Sequence, residues 1–381
     1  IYTSGSTGQP KGVCVKHSNL THFTDAAIDA YHLTQHDRLL QFSSISFDAS
    51  IEEIFPALVL GAPLILRSDD MLDSARMFFR GIDAWEISTV SLPTAFWHEL
   101  VSQLVESELE IPRCLRQIVI GGEAVYAAKL TEWQQTVGTS VRLLNSYGPT
   151  EATVVSTVFD LTNYQSRHNN LPIGQAIANV QTYVMDKSGN PVPFGVHGEL
   201  YIGGSGITQG YLNKPDLTAT SFVPDLFNPY SKDRLYKTGD KVRQLRNGII
   251  EYLGRIDQQV KFRGYRIELG EIESVIIKQP DVSGCAVILW SDSAGRQRLI
   301  AYVVTELETQ QISKNLKVGL KKSLPDYMIP SFTIKLDQLP IGANGKLDKN
   351  LLPEPVINFS NTQDKVNPRN FSQSDFGRIS S

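Results

Sequence analysis

Thr3–Gly12 reads TSGSTGQPKG, with glycines interleaved among hydroxyl residues and Pro10, Lys11 and Gly12 closing the string. Residues of these types suit phosphate. Glycine lets consecutive backbone N–H groups curl around an anion, the hydroxyls add donors, and Lys11 adds positive charge. A solvated Gly/Ser linker is the plainer reading of such a string, but the Pro-Lys pair speaks against it. A Walker A loop needs Gly-Lys-Ser/Thr leading into a helix, whereas here Pro10 precedes Lys11 and Gly12 follows it. The string is a phosphate loop of another type. Further unusual polar residues occur at Asp48, at Ser91, at Gly121-Gly122-Glu123, and from Asn145 through Ser-Tyr-Gly-Pro-Thr to Glu151.

Each of these groups follows a run with strand character. Leu39–Ser46, Pro63–Leu66, Ile87–Leu92, Gln117–Gly121 and Val141–Asn145 read as strands, and helical patterns at Ile51–Leu60, Asp73–Ala84, Thr94–Val105 and Tyr126–Val137 alternate with them. Such alternation implies βαβ units and a largely parallel sheet. Ligands of such sheets bind outside the carboxyl ends of the strands, so four strand ends converge on one candidate site. From about Val180 to Leu253 the pattern becomes strands broken by Gly, Asn and Pro, among them Thr182–Met185, Gly198–Ile202 and Ile249–Leu253. That predicts an antiparallel, β-rich part. After Gly254 comes a small mixed unit, with helices at Gly270–Lys278 and Ile312–Leu324 and strands at Cys285–Trp290 and Leu299–Val304.

A chain of 381 residues, 41% apolar, suits a soluble globular protein of two or three domains. A net charge of −4 with mixed signs gives no reason to expect nucleic acid or an acidic membrane as partner. Cys14, Cys114 and Cys285 are far apart, which argues against a disulfide framework or a zinc site and suits a reducing cytoplasm. The most apolar stretch, Ile54–Leu66, contains Pro56 and Pro63 and is too short to span a bilayer. The last stretch, from about Val356, is rich in Asn, Ser and Gln and has too little to bury to fold alone. Because the chain opens on Ile1 inside its first motif, it is expected to be a fragment of a longer enzyme.

Six further strings follow the phosphate loop in order. They are NSYGPTE at Asn145–Glu151, GELYIGG at Gly198–Gly204, YKTGD at Tyr236–Asp240, GRIDQQVKFRGYRIELGEIE at Gly254–Glu273, LPDYMIP at Leu324–Pro330 and NGKLD at Asn344–Asp348. Together they resemble the adenylate-forming superfamily, and their wording is similar to amino-acid-activating adenylation domains of nonribosomal peptide synthetases rather than to acyl-CoA ligases. The resemblance implies the adenylate-forming α/β fold: a large N-terminal subdomain, here truncated, with a β-rich part, plus a small mobile α+β C-terminal subdomain. The expected boundaries are 1–256 for the core, 257–353 for the small subdomain and 354–381 for a linker toward a carrier domain.

The implied chemistry has two steps. An amino-acid carboxylate attacks the α-phosphate of ATP and expels pyrophosphate; a carrier phosphopantetheine thiol then attacks the adenylate and gives a thioester. The partners implied are adjacent peptidyl-carrier and condensation domains, and the cofactors ATP and Mg²⁺. By resemblance, Thr3, Ser4, Gly5, Ser6, Thr7, Gly8 and Lys11 hold phosphates. Gly122, Glu123 and Ala124, with Asn145, Ser146 and Tyr147, frame the adenine, and Gly148 and Thr150 complete that nucleotide-binding run. Asp240 takes the ribose hydroxyls, with Tyr252 and Arg255 nearby. Glu151 is the candidate Mg²⁺ ligand, since that ion takes oxygen from one or two carboxylates plus phosphates. Lys346 bridges substrate carboxylate and phosphate, Asp257 is the hinge, and Lys261, Arg263 and Gly264 lie near the pantetheine.

The family's pocket positions fall on Asp48, Ala49, Glu52, Ser91, Val119, Gly121, Ser146, Val154, Val155 and Lys346. Asp48 would hold the substrate α-amino group, a contact that fatty acids do not need. Glu52, at i+4 from Asp48, shares its side of a helix that starts there. A carboxylate among small and apolar positions is costly to desolvate unless paired, and a cationic substrate side chain supplies the pair. The combination is similar to pockets that take lysine. Arginine and ornithine need the same anion at slightly different reach, and tyrosine is a possible side substrate. The alternatives are that Glu53 faces the pocket, or that Glu52 pairs with a protein cation. The rival functions are an acyl- or aryl-CoA ligase and an inactive fragment.

Overall fold

The computed structural model describes residues 1–4, 10–107, 109–165, 171–225, 227, 233–257, 259–292, 297–340 and 351–355. The chain divides into two compact units, with the break between Asp257 and Gln258. The first contains Ile1–Thr3 and Lys11–Asp257, while Ser4 and Pro10 group with the second.

The first unit is built on one continuous sheet. Strands β3 (Leu39–Gln41), β4 (Leu64–Leu66), β5 (Thr89–Pro93), β6 (Gln117–Gly121) and β7 (Arg142–Tyr147) run parallel in the order β4-β3-β5-β6-β7. The sheet continues antiparallel through β8 (Thr157–Asp160), β9 (Pro172–Ala176), β14 (Ile250–Arg255), β13 (Arg234–Gln244), β11 (His197–Gly204) and β10 (Val180–Met185). Strand β12 (Phe222–Pro224), after helix α6 (Pro215–Ser221), pairs with β13. Strands β1 (Tyr2–Thr3) and β2 (Lys11–Gly12) form a separate antiparallel pair at the root of the phosphate loop.

Helices cover both faces of the parallel half, so its strands read as nearly unbroken apolar runs rather than alternating ones. The period of two sorts their side chains. Ile118, Ile120 and Leu143 pack with Phe78 and Ile82 of α3 (Ala75–Ala84), Trp97 of α4 (Thr94–Ser107) and Trp133 of α5 (Ala127–Val137). Their neighbours Val119 and Leu144 join the other cluster, with Phe23, Ala27 and Tyr31 of α1 (His17–Tyr31) and Ala57 of α2 (Ala49–Leu60). Helix α1 is an addition to the expected elements.

Two expected elements stop four or more residues before the end of their patterns. The apolar run Leu39–Ser46 is a strand only to Gln41, because the backbone N–H groups of Phe42 and Ser43 donate to the Glu53 carboxylate instead of to a neighbouring strand. The last helical pattern ends at Leu320 rather than Leu324. Pro325 biases Leu324 away from helical backbone, and Leu324 instead buries its side chain after a tight turn.

The second unit starts with a hairpin of β15 (Gln259–Phe262) and β16 (Tyr265–Glu268). Its sheet pairs β17 (Gly284–Ser291) antiparallel to β18 (Gln297–Val304) and β18 parallel to β19 (Phe332–Leu336). Helices α7 (Leu269–Ile276) and α8 (Thr309–Leu320) contribute Ile272, Ile276, Ile312 and Leu316 to a core with Leu299 and Ala301. Among the described residues, no helix is long and apolar enough to cross a membrane.

Candidate functional site

The strand register brings four of the expected pocket positions onto one face of the sheet. Ser91 of β5 pairs with Val119 of β6, and Gly121 pairs with Ser146 of β7. Directly paired residues share a sheet face, so all four stand on the side that α1 and α2 cover. Gly121 is needed by contact: a Cβ there would lie 2.6 Å from the Ser146 hydroxyl oxygen.

Asp48 sits at the start of α2, where one carboxylate oxygen accepts from the Thr150 hydroxyl at 2.5 Å. Glu52 lies one turn further along and is 6% exposed. Its Oε2 accepts from the Ser91 hydroxyl at 2.9 Å, and its Oε1 accepts from the Tyr31 hydroxyl. Among the described residues, no basic side chain pairs with it. Glu53 turns the other way. Its carboxylate takes N–H bonds from Phe42 and Ser43 and one from the Gln41 amide, bracing the loop that leads to Asp48. Of the two adjacent carboxylates, Glu52 is therefore the one beside the pocket position Ser91.

Burial raises the Glu52 pKa above the ordinary carboxylate range; the Tyr31 and Ser91 hydroxyls oppose the rise, and the Asp48 charge adds to it. Burial also pushes Glu53 up to about 8, against the pull of its backbone N–H bonds. Tyr31 is raised well above its usual value, first by burial and then by the Glu52 charge.

A second cluster gathers the YKTGD and GRID strings. The Tyr147 hydroxyl donates to Asp240 Oδ2 at 2.5 Å, and Tyr252 stands beside the Tyr147 ring. Arg255 donates to Asp240 Oδ1 at 2.9 Å and to the Thr238 carbonyl at 2.8 Å. The same guanidinium grips both oxygens of Asp257, so one side chain ties Asp240 to the residue where the first unit ends. Gly239 has φ +71°, and a Cβ there would meet the Arg255 guanidinium at 2.6 Å, so only glycine fits that turn.

The third cluster joins the phosphate loop to Glu151. Lys11 Nζ lies 3.2 Å from Glu151 Oε1, and the Tyr211 hydroxyl donates to that same oxygen at 2.7 Å. Lys11 also donates to the Tyr211 oxygen at 3.1 Å. All three are buried. Sequence motifs point to Lys11 and Glu151 but not to Tyr211.

Asn145 and Ser146 are buried and bond to the carbonyls of Pro172 and Ile120. The pocket positions Val154 and Val155 are buried as well, with Thr153 and Val154 both at positive φ. That backbone is rare for β-branched residues and concentrates at functional sites. On the second unit, Lys261 lies on β15, while Arg263 and Gly264 form the two-residue hairpin turn, both at positive φ, as a primed turn requires. Gly5, Ser6, Thr7, Gly8 and Lys346 lie outside the described residues.

A model described as AMP-binding enzyme matches residues 1–212, and one described as AMP-binding enzyme C-terminal domain matches residues 271–346. The chain belongs to the AMP-binding enzyme family, as a nonribosomal peptide synthetase adenylation domain. It is 41% identical over 355 residues to tyrocidine synthase 3 of Brevibacillus parabrevis, covering 93% of this chain and 5% of that protein. It is 40% identical over 360 residues to a dimodular nonribosomal peptide synthase of Bacillus subtilis (strain 168), covering 94% of this chain and 15% of that protein. The adenylation domain thus spans a small part of the curated relatives it matches. Among solved structures, one of an NRPS protein containing adenylation and PCP domains bound to a vinylsulfonamide inhibitor superposes with a TM-score of 0.77 at 28% identity. That match covers 92% of this chain and 58% of the other. The adenylate-forming α/β architecture, with its large N-terminal and smaller C-terminal parts, is that of the family.

Proposed function

We propose that this adenylation domain activates a basic amino acid, lysine foremost, as the aminoacyl-AMP and passes it to a carrier phosphopantetheine thiol. The observation that carries the substrate reading is Glu52. It is a buried carboxylate beside Ser91, both of its oxygens are held by neutral hydroxyls, and no described basic side chain pairs with it. An isolated buried charge is expensive unless paired. A substrate ammonium that extends past Ser91, Gly121 and Ser146 supplies the pair, and arginine or ornithine meets the same anion at a different reach. Asp48 receives the α-ammonium.

The nucleotide lies across the other two clusters. Asp240 takes the ribose hydroxyls, with Tyr147, Tyr252 and Arg255 shaping that end. The glycine-rich loop and Lys11 hold the phosphates. Glu151 fits Mg²⁺, since it is a fully buried carboxylate beside the loop, and that ion completes its shell with phosphate oxygens and water. When bound, the ion would offset charge between two anions brought together. The lysine that now pairs with Glu151 is the cation for which phosphate competes. Lys346 bridges carboxylate and α-phosphate in the first step. Asp257 is the hinge about which the second unit turns, and Lys261, Arg263 and Gly264 then line the thiol's approach.

Carrier loading tests the second step. The full-length synthetase module, with its carrier domain converted to the phosphopantetheine form, is incubated with ATP, Mg²⁺ and radiolabelled lysine. Label should become protein-bound and be released by hydroxylamine, as a thioester is. Label that appears only on added free coenzyme A would instead support the acyl-CoA ligase reading.

A further inference from the structure

We infer that Tyr31, the last residue of helix α1, is a specificity-determining positioning residue that fixes the Glu52 carboxylate for a cationic substrate side chain. The inference rests on the basic-amino-acid reading proposed above and adds to it a residue from outside the ten pocket positions.

Tyr31 is 2% exposed, and its ring packs with the apolar side chains of Phe23, Ala27, Ala57, Val119 and Leu144. Packing alone would be served as well by phenylalanine, and an unpaired phenolic hydroxyl in such a place is costly. The hydroxyl is used: it donates to Glu52 Oε1, and the pocket position Ser146 stands next to it. Its position is fixed, because His32 turns into left-handed backbone (φ 51°) and ends α1 immediately after Tyr31.

An ionised carboxylate has about four lone-pair sites and can only accept hydrogen bonds. Here Tyr31 takes one site on Oε1 and Ser91 one on Oε2. Two donors from different elements hold the carboxylate in one orientation, and the remaining sites are left for a substrate ammonium. Neither donor carries charge, so neither replaces the cation. Preorganisation of this kind acts on binding of the cationic side chain and much less on chemistry at the substrate carboxylate.

The test is a double-mutant cycle in the full-length synthetase module. Lysine- and leucine-dependent ATP–pyrophosphate exchange is measured for wild type, Tyr31→Phe, Glu52→Gln and the double variant. In Tyr31→Phe, KM for lysine should rise roughly tenfold to a hundredfold, the scale of losing a hydrogen bond to a charged group. Its kcat should change far less, and the lysine-over-leucine preference should fall by the same factor. In the Glu52→Gln background the Tyr31 substitution should add little, because the carboxylate it positions is gone. Exchange with leucine reports that each variant is folded. Equal losses for lysine and leucine, or an undiminished Tyr31 effect in the Glu52→Gln background, would overturn the inference while leaving the substrate reading intact. If Glu52→Gln leaves the amino-acid ranking unchanged, both fall together.

Discussion

Lys346→Ala in the full-length synthetase module is expected to slow aminoacyl-adenylate formation by about a hundredfold to a thousandfold, the scale of removing one preorganised partner of developing negative charge. On the proposed reading two anions meet in that step, and the lysine would bridge them. Thioester formation from a preformed adenylate should slow much less. The lysine belongs to the NGKLD string, which follows Asp257 in the chain, and if Asp257 acts as the proposed hinge the lysine would leave before the thiol attacks. Single-turnover measurement of the two half-reactions separates these effects. Equal loss of both would remove the assigned role, since a group that has left the site cannot be missed there.

The second large effect is on substrate choice. Glu52→Gln should depress exchange with lysine, arginine and ornithine by about 10² to 10³ relative to leucine or tyrosine. A buried ion pair that loses one partner costs roughly 3–5 kcal/mol, and each ~1.4 kcal/mol is tenfold. Glutamine keeps an acceptor, and its amide can donate to whichever hydroxyl has lost one, so the contacts to Tyr31 and Ser91 survive in neutral form. Apolar substrates should improve, because no carboxylate then has to be desolvated beside them.

The same residue sets a pH dependence. Burial raises the Glu52 pKa, with Tyr31, Ser91 and Asp48 the groups that modulate it. Below that raised value the side chain is protonated and offers no charge to a substrate ammonium. The lysine-to-leucine ratio should therefore rise with pH through the titration and then level off, and it should be flat in Glu52→Gln. Michaelis constants for both amino acids across a pH series give this ratio directly.

Much of the scaffold was legible because apolar runs bounded by turn residues alternate with helical spacing from Leu39 onward. The strand-end rule then brought Asp48, Ser91, Gly121 and Asn145 to one edge of the sheet without any coordinates. What was not legible depends on partners far apart in the chain. Tyr31 reaches Glu52 from 21 residues upstream, and Tyr211 reaches Glu151 from 60 residues downstream. No local pattern marks either. The choice between Glu52 and Glu53 had the same character. It turns on where β3 stops, and β3 stops where the N–H groups of Phe42 and Ser43 take Glu53 as their acceptor. The end of the last helix, by contrast, is marked locally, since Pro325 biases Leu324 away from helical backbone.

A cationic side chain is expected to meet Glu52 in the activation step, and ATP–pyrophosphate exchange by the full-length module across the amino acids reads this out. Exchange should require no coenzyme A, and lysine should give the highest kcat/KM, with arginine and ornithine next and leucine and glutamate far below. A module that prefers an aliphatic or an acidic amino acid would contradict the account.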